Sequence, residues 1–154
     1  MIMSDVRWLD DDEQHVWRSY LDVSRLLNER LQHQLVKDSG LSLPEYEIFV
    51  QLSEAPDRML RMSELAERAV NSRSRLTHTV SRLESRGLVR REPCPDDGRG
   101  VLCILTDEGF KAIDESAAGH VEAVRSALFD PLSRGEVKTL GEAMDKILAV
   151  LREQ

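Results

Sequence analysis

Apolar residues recur every three or four positions along several stretches of the chain, which is the period of an amphipathic helix. The first stretch, residues 11–37, predicts a long helix that ends near Gly40, because glycine suits the position after a helix end. A second helix is predicted from Ser42 onward, where Ser42 and Glu45 match the S-x-x-E capping box. The chain therefore begins with two successive predicted helices.

A short helix and then an arginine-rich helix are predicted in the middle of the chain. The short one lies in MSELAERAV, with Ser63 as its cap, and the other lies in NSRSRLTHTVSRLESRGLVRR, residues 71–91. Projected at 100° per residue, the second helix has one narrow apolar stripe, formed by Leu76, Val80 and Leu83. Serine, arginine and histidine lie on the opposite side, so the helix has one apolar and one polar face.

Two short apolar stretches follow Gly87. LVRRE and VLCIL have the pattern of strands, and the turn-forming cluster PCPDDGRG separates them, with Asp97-Gly98 near the tip. They predict a β-hairpin directly after the arginine-rich helix. Cys94 and Cys103 flank this turn, a spacing that allows them to lie opposite one another across the hairpin.

Two further helices are predicted in the C-terminal third. Thr106 caps the first, which extends to Asp130, and an S-x-x-E box of Ser133 and Glu136 opens the second. In the last helix the apolar residues recur at spacings of three and four: Val137, Leu140, Met144, Ile147 and Leu151. This spacing is typical of a helix–helix seam, and we expect it to join two copies of the chain; packing within one monomer is the alternative.

Length and composition describe one globular domain, or a small module with an attached helical part. The 154 residues are 41% apolar and 32% charged, and no apolar run approaches the ~18 residues of a membrane span. The start, MIMSDVRWLDDDEQ, lacks the apolar core of a signal peptide, and the two cysteines suit a reducing compartment. These features predict a cytoplasmic protein with no membrane segment.

Charge is distributed unevenly along the chain. The formal net charge is −7, yet residues 68–91 hold seven arginines and one acid, Glu84, which leaves +6 in this stretch and −13 in the remainder. One strongly basic stretch in an acidic chain indicates an electropositive surface confined to one side of the molecule. Such a surface suits the phosphates of nucleic acid.

A short helix, a turn, an arginine-serine helix and a hairpin have the layout of a winged helix-turn-helix. In this layout the polar N-terminal half of the second helix enters the major groove, and Arg99 at the hairpin reaches a neighbouring minor groove. The candidate DNA-contacting residues are Arg73, Ser74, Arg75, Thr77, His78, Arg82, Arg90, Arg91 and Arg99. We expect Arg75 to meet base edges. The later arginines bind phosphates or pair with Glu84, Asp96 or Asp97.

Two alternatives to DNA binding remain for this layout. Basic residues on an amphipathic helix are often only a solvated face, and a winged helix can serve as a protein-interaction module. The arginine face disfavours the second alternative, because a protein interface seldom carries this much charge with almost no apolar anchor. A steep loss of affinity for duplex DNA with rising salt distinguishes DNA binding from both.

The segment LTHTVSRLESRGLVRREPCPDDGRGVLCILTDEG, residues 76–109, and the preceding MSELAERA resemble the MarR family of bacterial transcription regulators. Residues 83–89 match the family's pattern of leucine, glutamate, any residue, basic, glycine, leucine, valine. The family's wing pattern, Asp-x-Arg followed by a strand and Leu-Thr-x-x-Gly, is matched by Asp97, Arg99, Leu105, Thr106 and Gly109. The helical order on both sides also agrees, so the likeness covers nearly the whole chain.

The predicted elements and the resemblance together describe a mainly α fold with a small β-hairpin wing (α+β). Residues 41–106 are expected to form a winged helix-turn-helix DNA-binding domain, and residues 1–40 and 107–154 a helical dimerisation region. The resemblance implies a homodimeric regulator, expected to repress a palindromic operator. It further implies that Arg99 is the minor-groove residue of the wing and that Asp97 holds the wing by pairing with an arginine.

A small-molecule effector site is a further expectation from the resemblance. Five of the seven aromatic residues lie early in the chain, and Trp17 and Tyr20 share a helix face. Members of the family bind small aromatic acids or phenols between the dimerisation region and the winged lobes. The candidate ligand-binding residues are therefore Trp17, Tyr20, Phe49 and Arg61. The alternative is that these rings are part of the dimer core.

Other classes of function have little support in the sequence. It contains no G-x-S-x-G, P-loop or dinucleotide-binding glycine pattern, so we do not expect an enzyme. Its four histidines lack metal-ligand spacing, and we expect neither a metal nor a cofactor. A redox-responsive regulator that uses Cys94 and Cys103 is an alternative to a ligand-responsive one. The other interpretation of these two cysteines is that they are small apolar residues of the wing.

Overall fold

The computed structural model describes residues 6–69 and 73–153; residues 1–5, 70–72 and 154, which fall within the predicted helices and domains, lie outside this description. The helices are α1 (Asp11–Ser39), α2 (Leu43–Glu54), α3 (Met62–Arg68), α4 (Arg73–Ser85), α5 (Asp107–Val124) and α6 (Arg134–Arg152). The strands are β1 (Met59–Arg61), β2 (Val89–Cys94) and β3 (Asp97–Leu105). A 3-10 turn, Pro56–Arg58, precedes β1, and a π-helical turn, Arg125–Phe129, follows α5. The predicted fold class, mainly α with a small β component, is confirmed.

Most helix ends lie at the residues that the capping patterns predicted. α1 ends at Gly40, whose φ of 68° is the left-handed conformation that glycine adopts without strain. Ser42 and Ser133 each accept a hydrogen bond from the backbone N–H three residues later, and both capping boxes are complete. Thr106 caps α5 by accepting from the N–H of Gly109. These four caps are confirmed.

The predicted cap of the short helix α3 is wrong. The helix begins at Met62 with Arg61 in the cap position, and the Glu64 side chain accepts a hydrogen bond from the backbone N–H of Arg61 at 3.0 Å. Ser63 therefore lies inside the first turn. The reason is that β1 ends at Arg61 and the helix begins at the next residue, so the last residue of the strand occupies the cap position.

The sheet has the strand order β1-β3-β2, with both pairs antiparallel. β2 and β3 form the predicted hairpin, but Cys94 pairs with Asp97, so the turn is Pro95-Asp96. Asp97-Gly98 therefore opens β3 directly after the turn, which is near the tip as predicted. β1, a strand that the sequence did not indicate, pairs with the far end of β3.

The two cysteines do not face each other across the hairpin, as their spacing had allowed. Cys94 pairs with Asp97, whereas Cys103 pairs with Arg91. Both thiols are buried and unbridged. Burial raises the pKa of the Cys103 thiol to about 12, so its thiolate, the form that oxidises, is scarce at neutral pH. This geometry disfavours the redox-responsive alternative.

The hydrophobic core of the middle segment lies under α4, between α2 and the sheet. The predicted apolar stripe of α4, Leu76, Val80 and Leu83, is 3%, 0% and 0% exposed. It belongs to one cluster with side chains of α2, α3 and the hairpin, among them Phe49, Leu52, Leu65, Val89, Cys103 and Leu105. Because this stripe is buried, the opposite face of α4 lies in solvent.

The long helices α1 and α5 pack against each other, while α6 has no buried residue in the single chain. Apolar side chains of α6 and of the first half of α1 are exposed: Met144, Ile147, Leu148, Val150, Leu151, Val16, Trp17 and Tyr20. No helix within the described ranges combines the length and the apolarity needed to cross a membrane. A single chain thus leaves the apolar stripe of α6 uncovered.

Candidate DNA-binding surface

Helix α4 presents a basic, hydroxyl-rich face to solvent. Its first turns expose Arg73, Ser74, Arg75, Thr77 and His78. The helix itself holds one of these side chains, because Thr77 Oγ1 donates a hydrogen bond to the carbonyl of Arg73 at 2.9 Å. Five of the predicted DNA-contacting residues therefore lie together on the N-terminal half of α4.

An open groove of about 720 Å³ lies between the start of α2 and this face of α4. Pro44 forms the α2 side. The α4 side consists of guanidinium, imidazole and hydroxyl groups from Arg75, His78, Thr79, Ser81, Arg82 and Ser85. Donors of this kind suit phosphate and sugar oxygens. The groove therefore has the chemistry to hold a DNA backbone strand.

The wing carries Arg99 at an exposed position near the start of β3. Asp97 accepts a hydrogen bond from the backbone N–H of Arg99 at 3.1 Å. The other carboxylate oxygen of Asp97 lies 3.5 Å from the guanidinium of Arg61 in β1. Asp97 thus connects the start of β3, which carries Arg99, to β1.

Arg91, one of the predicted DNA-contacting residues, is paired with an acid of α4. Its backbone N–H and its guanidinium donate to the Glu84 carboxylate at 2.8 Å and 2.9 Å, and the guanidinium also donates to Ser81 Oγ at 3.3 Å. These hydrogen bonds from Arg91 hold the pKa of Glu84 below its ordinary value, and the same carboxylate raises the pKa of Arg91. Arg91 therefore joins β2 to α4.

Arg90 and Arg82 keep their guanidinium groups at the surface. Arg90 lies on the exposed side of β2 and pairs with Glu92 at 2.9 Å, a contact that solvent screens. The Arg82 side chain is 64% exposed, although its Nε lies 3.7 Å from the carboxylate of Glu45. Both side chains are accessible to a phosphate from outside.

Glu45 has a role at this surface that its capping pattern does not reveal. Besides capping α2, the carboxylate lies 3.7 Å from Arg82 Nε and 3.8 Å from Arg86 Nη1, both on α4. Its side chain is only 9% exposed. Since these partners lie far along the sequence, no local spacing could have indicated the contact.

The four candidate ligand-binding residues do not surround one cavity in the single chain. Trp17 and Tyr20 stack on the exposed side of α1, with ring centroids 6.1 Å apart. Phe49 is fully buried in the core under α4, and Arg61 pairs with Asp97 at the wing. Only Trp17 and Tyr20 are neighbours.

A cavity of about 230 Å³ lies where α1, α2 and α5 meet. Its lining combines apolar, amide and aromatic groups: Asn28, Leu31, Leu43, Tyr46, Glu47, Val50, Gln51 and His120. The rings of Tyr46 and His120 lie 4.4 Å apart between centroids. His120 Nδ1 is buried and finds no hydrogen-bond partner among the described residues, and burial lowers the pKa of this imidazole. The cavity therefore borders a residue with a buried polar atom that has no partner among the described residues.

The described residues contain no group of three or more His, Cys, Asp or Glu side chains placed to hold a metal ion.

A model of the MarR family matches residues 39–100. The chain is also similar to Sco3205, a MarR family transcriptional regulator from Streptomyces coelicolor whose crystal structure is in complex with DNA. The two are 49% identical, the match covers 94% of this chain and 91% of that chain, and the TM-score is 0.90. This chain belongs to the MarR family.

Two further relatives of this MarR-family chain agree with that assignment. AbsC, a MarR family transcriptional regulator from Streptomyces coelicolor, is 40% identical over 97% of this chain and 100% of that chain, with a TM-score of 0.91. The HTH-type transcriptional repressor YetL of Bacillus subtilis (strain 168) is 27% identical over 143 residues, which are 90% of this chain and 84% of YetL. As a MarR-family member, the chain is a DNA-binding transcriptional regulator and not an enzyme.

Proposed function

We propose that this protein is a homodimeric transcriptional repressor that binds a palindromic operator in double-stranded DNA and leaves it when a small aromatic ligand binds. The exposed face of α4 carries the proposal. There the arginines of an otherwise acidic chain lie beside serine, threonine and histidine, on a helix whose other face is buried. Repression is supported by the similarity to YetL, which is a repressor.

The α4 face and the wing supply the contacts that specific DNA binding needs. Arg75 lies in the first turns with Ser74 and His78, and an arginine there can match guanine through two parallel hydrogen bonds. The main phosphate-binding role goes to two other exposed arginines, Arg73 and Arg90, because phosphate contacts set the register without reading the sequence. Arg99 provides a guanidinium for a narrow minor groove.

The exposed apolar stripe of α6 supports the homodimer. Met144, Ile147, Leu148, Val150 and Leu151 are between 38% and 63% exposed in the single chain. A helix with such a stripe is stabilised when a second copy covers it. Two-fold symmetry would then repeat α4 about one helical turn of DNA away, which matches the half-sites of a palindrome. In this arrangement residues 1–40 and 107–154 form the dimerisation region and residues 41–106 the DNA-binding domain.

The cavity at α1, α2 and α5 is the effector site in this proposal. It lies where the dimerisation helices α1 and α5 meet α2 of the DNA-binding domain, so a bound ligand touches both parts. The rings of Tyr46 and His120 suit an aromatic ligand. Within the described part of the chain, the lining contains one acid, Glu47, whose pKa is raised by burial, and neither lysine nor arginine. An uncharged aromatic molecule such as a phenol therefore fits this lining better than an aromatic anion.

Selection of binding sites from random duplex DNA tests the proposal. We expect two inverted half-sites, an affinity for the selected duplex that exceeds that for scrambled DNA by about 10³-fold or more, and a steep loss of both affinities with salt. Phenol and benzoate, added in separate titrations, then test the effector, with the larger release expected from phenol. Failure to enrich any sequence, together with a shallow salt dependence, would instead support the protein-interaction alternative.

A further inference from the structure

The carboxylate of Glu45 is an acid buried beside a surface that has to bind DNA. It lies in the first turn of α2, and one oxygen accepts the backbone N–H of Ser42 at 2.8 Å. The first turn of a helix stabilises a carboxylate through the helix dipole and through exposed N–H groups. Cap and burial together hold this carboxylate in one place, in contrast to an acid on a flexible surface side chain.

Two arginines of the basic stretch surround this fixed carboxylate. Arg82 Nε lies 3.7 Å from Oε1 and Arg86 Nη1 lies 3.8 Å from Oε2. At these separations the opposite charges attract each other without a direct hydrogen bond, and the buried side of each pair is the carboxylate. Each guanidinium has an additional tie to the protein: Arg82 donates to Thr79 Oγ1 at 3.5 Å, and Arg86 donates to the carbonyl of Gly40 at 3.4 Å.

We infer that Glu45 is a positioning residue that holds the guanidinium groups of Arg82 and Arg86 on the protein and thereby limits binding to DNA of unrelated sequence. The inference rests on the proposed sequence-specific DNA binding. Affinity for unrelated DNA comes almost entirely from phosphate contacts. An arginine that is already held by a carboxylate gains less binding free energy from a phosphate, because its contact with the carboxylate must weaken as the contact with the phosphate forms. Base contacts at the start of α4 lose nothing by this arrangement, so the ratio of specific to non-specific affinity rises.

Glu45→Gln separates this role from helix capping. Glutamine also completes the capping box, because its side-chain oxygen can still accept the Ser42 N–H, but it carries no charge to attract the arginines. We expect Glu45→Gln to raise the affinity for scrambled duplex by about 3- to 10-fold at low salt and to raise operator affinity less. The slope of log affinity against log salt should steepen by about 0.9 for each guanidinium that transfers to a phosphate.

Two controls distinguish the pairing from a general change of charge. Glu54→Gln removes one negative charge at the other end of α2, and it should leave the slope and the specificity ratio unchanged. Arg82→Gln, combined with Glu45→Gln in a double-mutant cycle, should abolish the share of the gain on scrambled DNA that comes from Arg82 and leave the share from Arg86. If Glu45→Gln has the same effect with and without Arg82, or has no effect on slope and ratio, the inference is overturned.

Single arginine variants give an independent test, which also applies if Glu45→Gln does not fold. Because Glu45 already engages both arginines, Arg82→Gln and Arg86→Gln should each lower the salt slope by clearly less than one unit. A full unit lost in each variant means that both arginines are ordinary phosphate anchors, which contradicts the inference. Equal affinity of the unsubstituted protein for selected and scrambled DNA would reject the proposed function itself, whatever the variants show.

Discussion

Acidic partners separate the roles of the arginines on the DNA-binding surface. Arg91 is hydrogen-bonded to Glu84 in a half-buried pair that joins β2 to α4. Arg90 pairs with Glu92 in an exposed contact that contributes little to stability. Arg90 and Arg91 carry the same charge, but removing either side chain should have a different consequence. Arg91 supports the shape of the surface, whereas Arg90 is accessible to DNA.

Arg75→Ala tests base reading by the first turns of α4. We expect a loss of about 1–3 kcal/mol on the operator and a relaxed preference at one base pair, because a bidentate contact to guanine would disappear. Arg90→Ala is the control: it should weaken all duplexes similarly and lower the salt slope by about one unit. Affinities for operator and scrambled DNA at several salt concentrations measure both. If Arg75→Ala lowers the affinities for operator and scrambled DNA by the same factor, base reading must be assigned to Ser74, Thr77 and His78.

Arg99→Ala tests the wing. A narrow, A·T-rich minor groove concentrates negative potential, so the loss of this guanidinium should weaken binding most at operators with A·T-rich flanks. The measurement compares affinities for the same operator with A·T-rich and G·C-rich flanking sequence. A similar loss on both flanks would mean that Arg99 contacts only phosphate.

The pair of Glu84 and Arg91 predicts a pH dependence of stability. The pKa of Glu84 is lowered in the folded state, so the pair stabilises the fold above the ordinary glutamate value of 4.5 and this contribution is lost as pH falls through the lowered value. Glu84→Gln should therefore be less stable than the unsubstituted protein at pH 7, with a difference that shrinks on acidification to about pH 3. Thermal unfolding from pH 7 to pH 3 measures this. Glu92→Gln should change little, and a Glu84→Gln difference that stays constant with pH would contradict the assignment.

At the scale of elements, local signals were predictable and distant pairings were not. The caps at Gly40, Ser42, Thr106 and Ser133 depend on residues within one turn, so the sequence contains the whole signal. β1 is only three residues long, and its partner β3 lies far along the chain, so neither length nor alternation could indicate it. The hairpin was predictable as an element, but its register depends on one bulged position near Cys94.

The DNA-binding surface likewise has features that the sequence predicts and features that depend on distant packing. The polar face of α4 follows from helical periodicity, because the buried stripe determines which side is exposed. The Glu45 contacts and the partner of Arg91 depend on how α2, α4 and β2 pack, and periodicity carries no information on that packing. The cavity lined by Tyr46 and His120 forms from three helices. Tyr46 is one of the early aromatic residues, but no local spacing places it beside His120, so the prediction named Trp17, Tyr20 and Phe49.

Helix α6 provides a test of assembly. Leu140→Glu combined with Ile147→Glu places two carboxylates in the apolar stripe, so the expected result is loss of the dimer and of operator binding. Lys138→Glu combined with Ala149→Glu adds two carboxylates on the opposite face and is the control. Sedimentation and DNA affinity are measured for both variants. Normal dimers and normal binding in the Leu140 and Ile147 variant would exclude α6 from the interface.

At the scale of the whole molecule, His120 lies at the junction of the helices that connect the proposed dimerisation region to the DNA-binding domain. It is on α5, and its ring packs against Tyr46 of α2. Among the residues that the structure describes, the only charged group in the cavity lining is Glu47. Protonation of His120 would therefore place a cation in a partly buried site, and both the cavity and the packing of α5 on α2 would be disturbed.

The lowered pKa of His120 sets the sign of the resulting pH dependence. Near the ordinary histidine value of 6.5 the unfolded chain binds more protons than the folded chain, so stability is complete above this value and decreases as pH falls through it. His120→Phe keeps a ring against Tyr46 and cannot titrate, so its stability should change less between pH 7.5 and pH 5.5, measured by chemical unfolding. His33→Gln, at an exposed position of α1, is the control and should retain the full decrease. If His120→Phe loses as much stability on acidification as the unsubstituted protein, the pH dependence arises at other groups and His120 does not couple protonation to this junction.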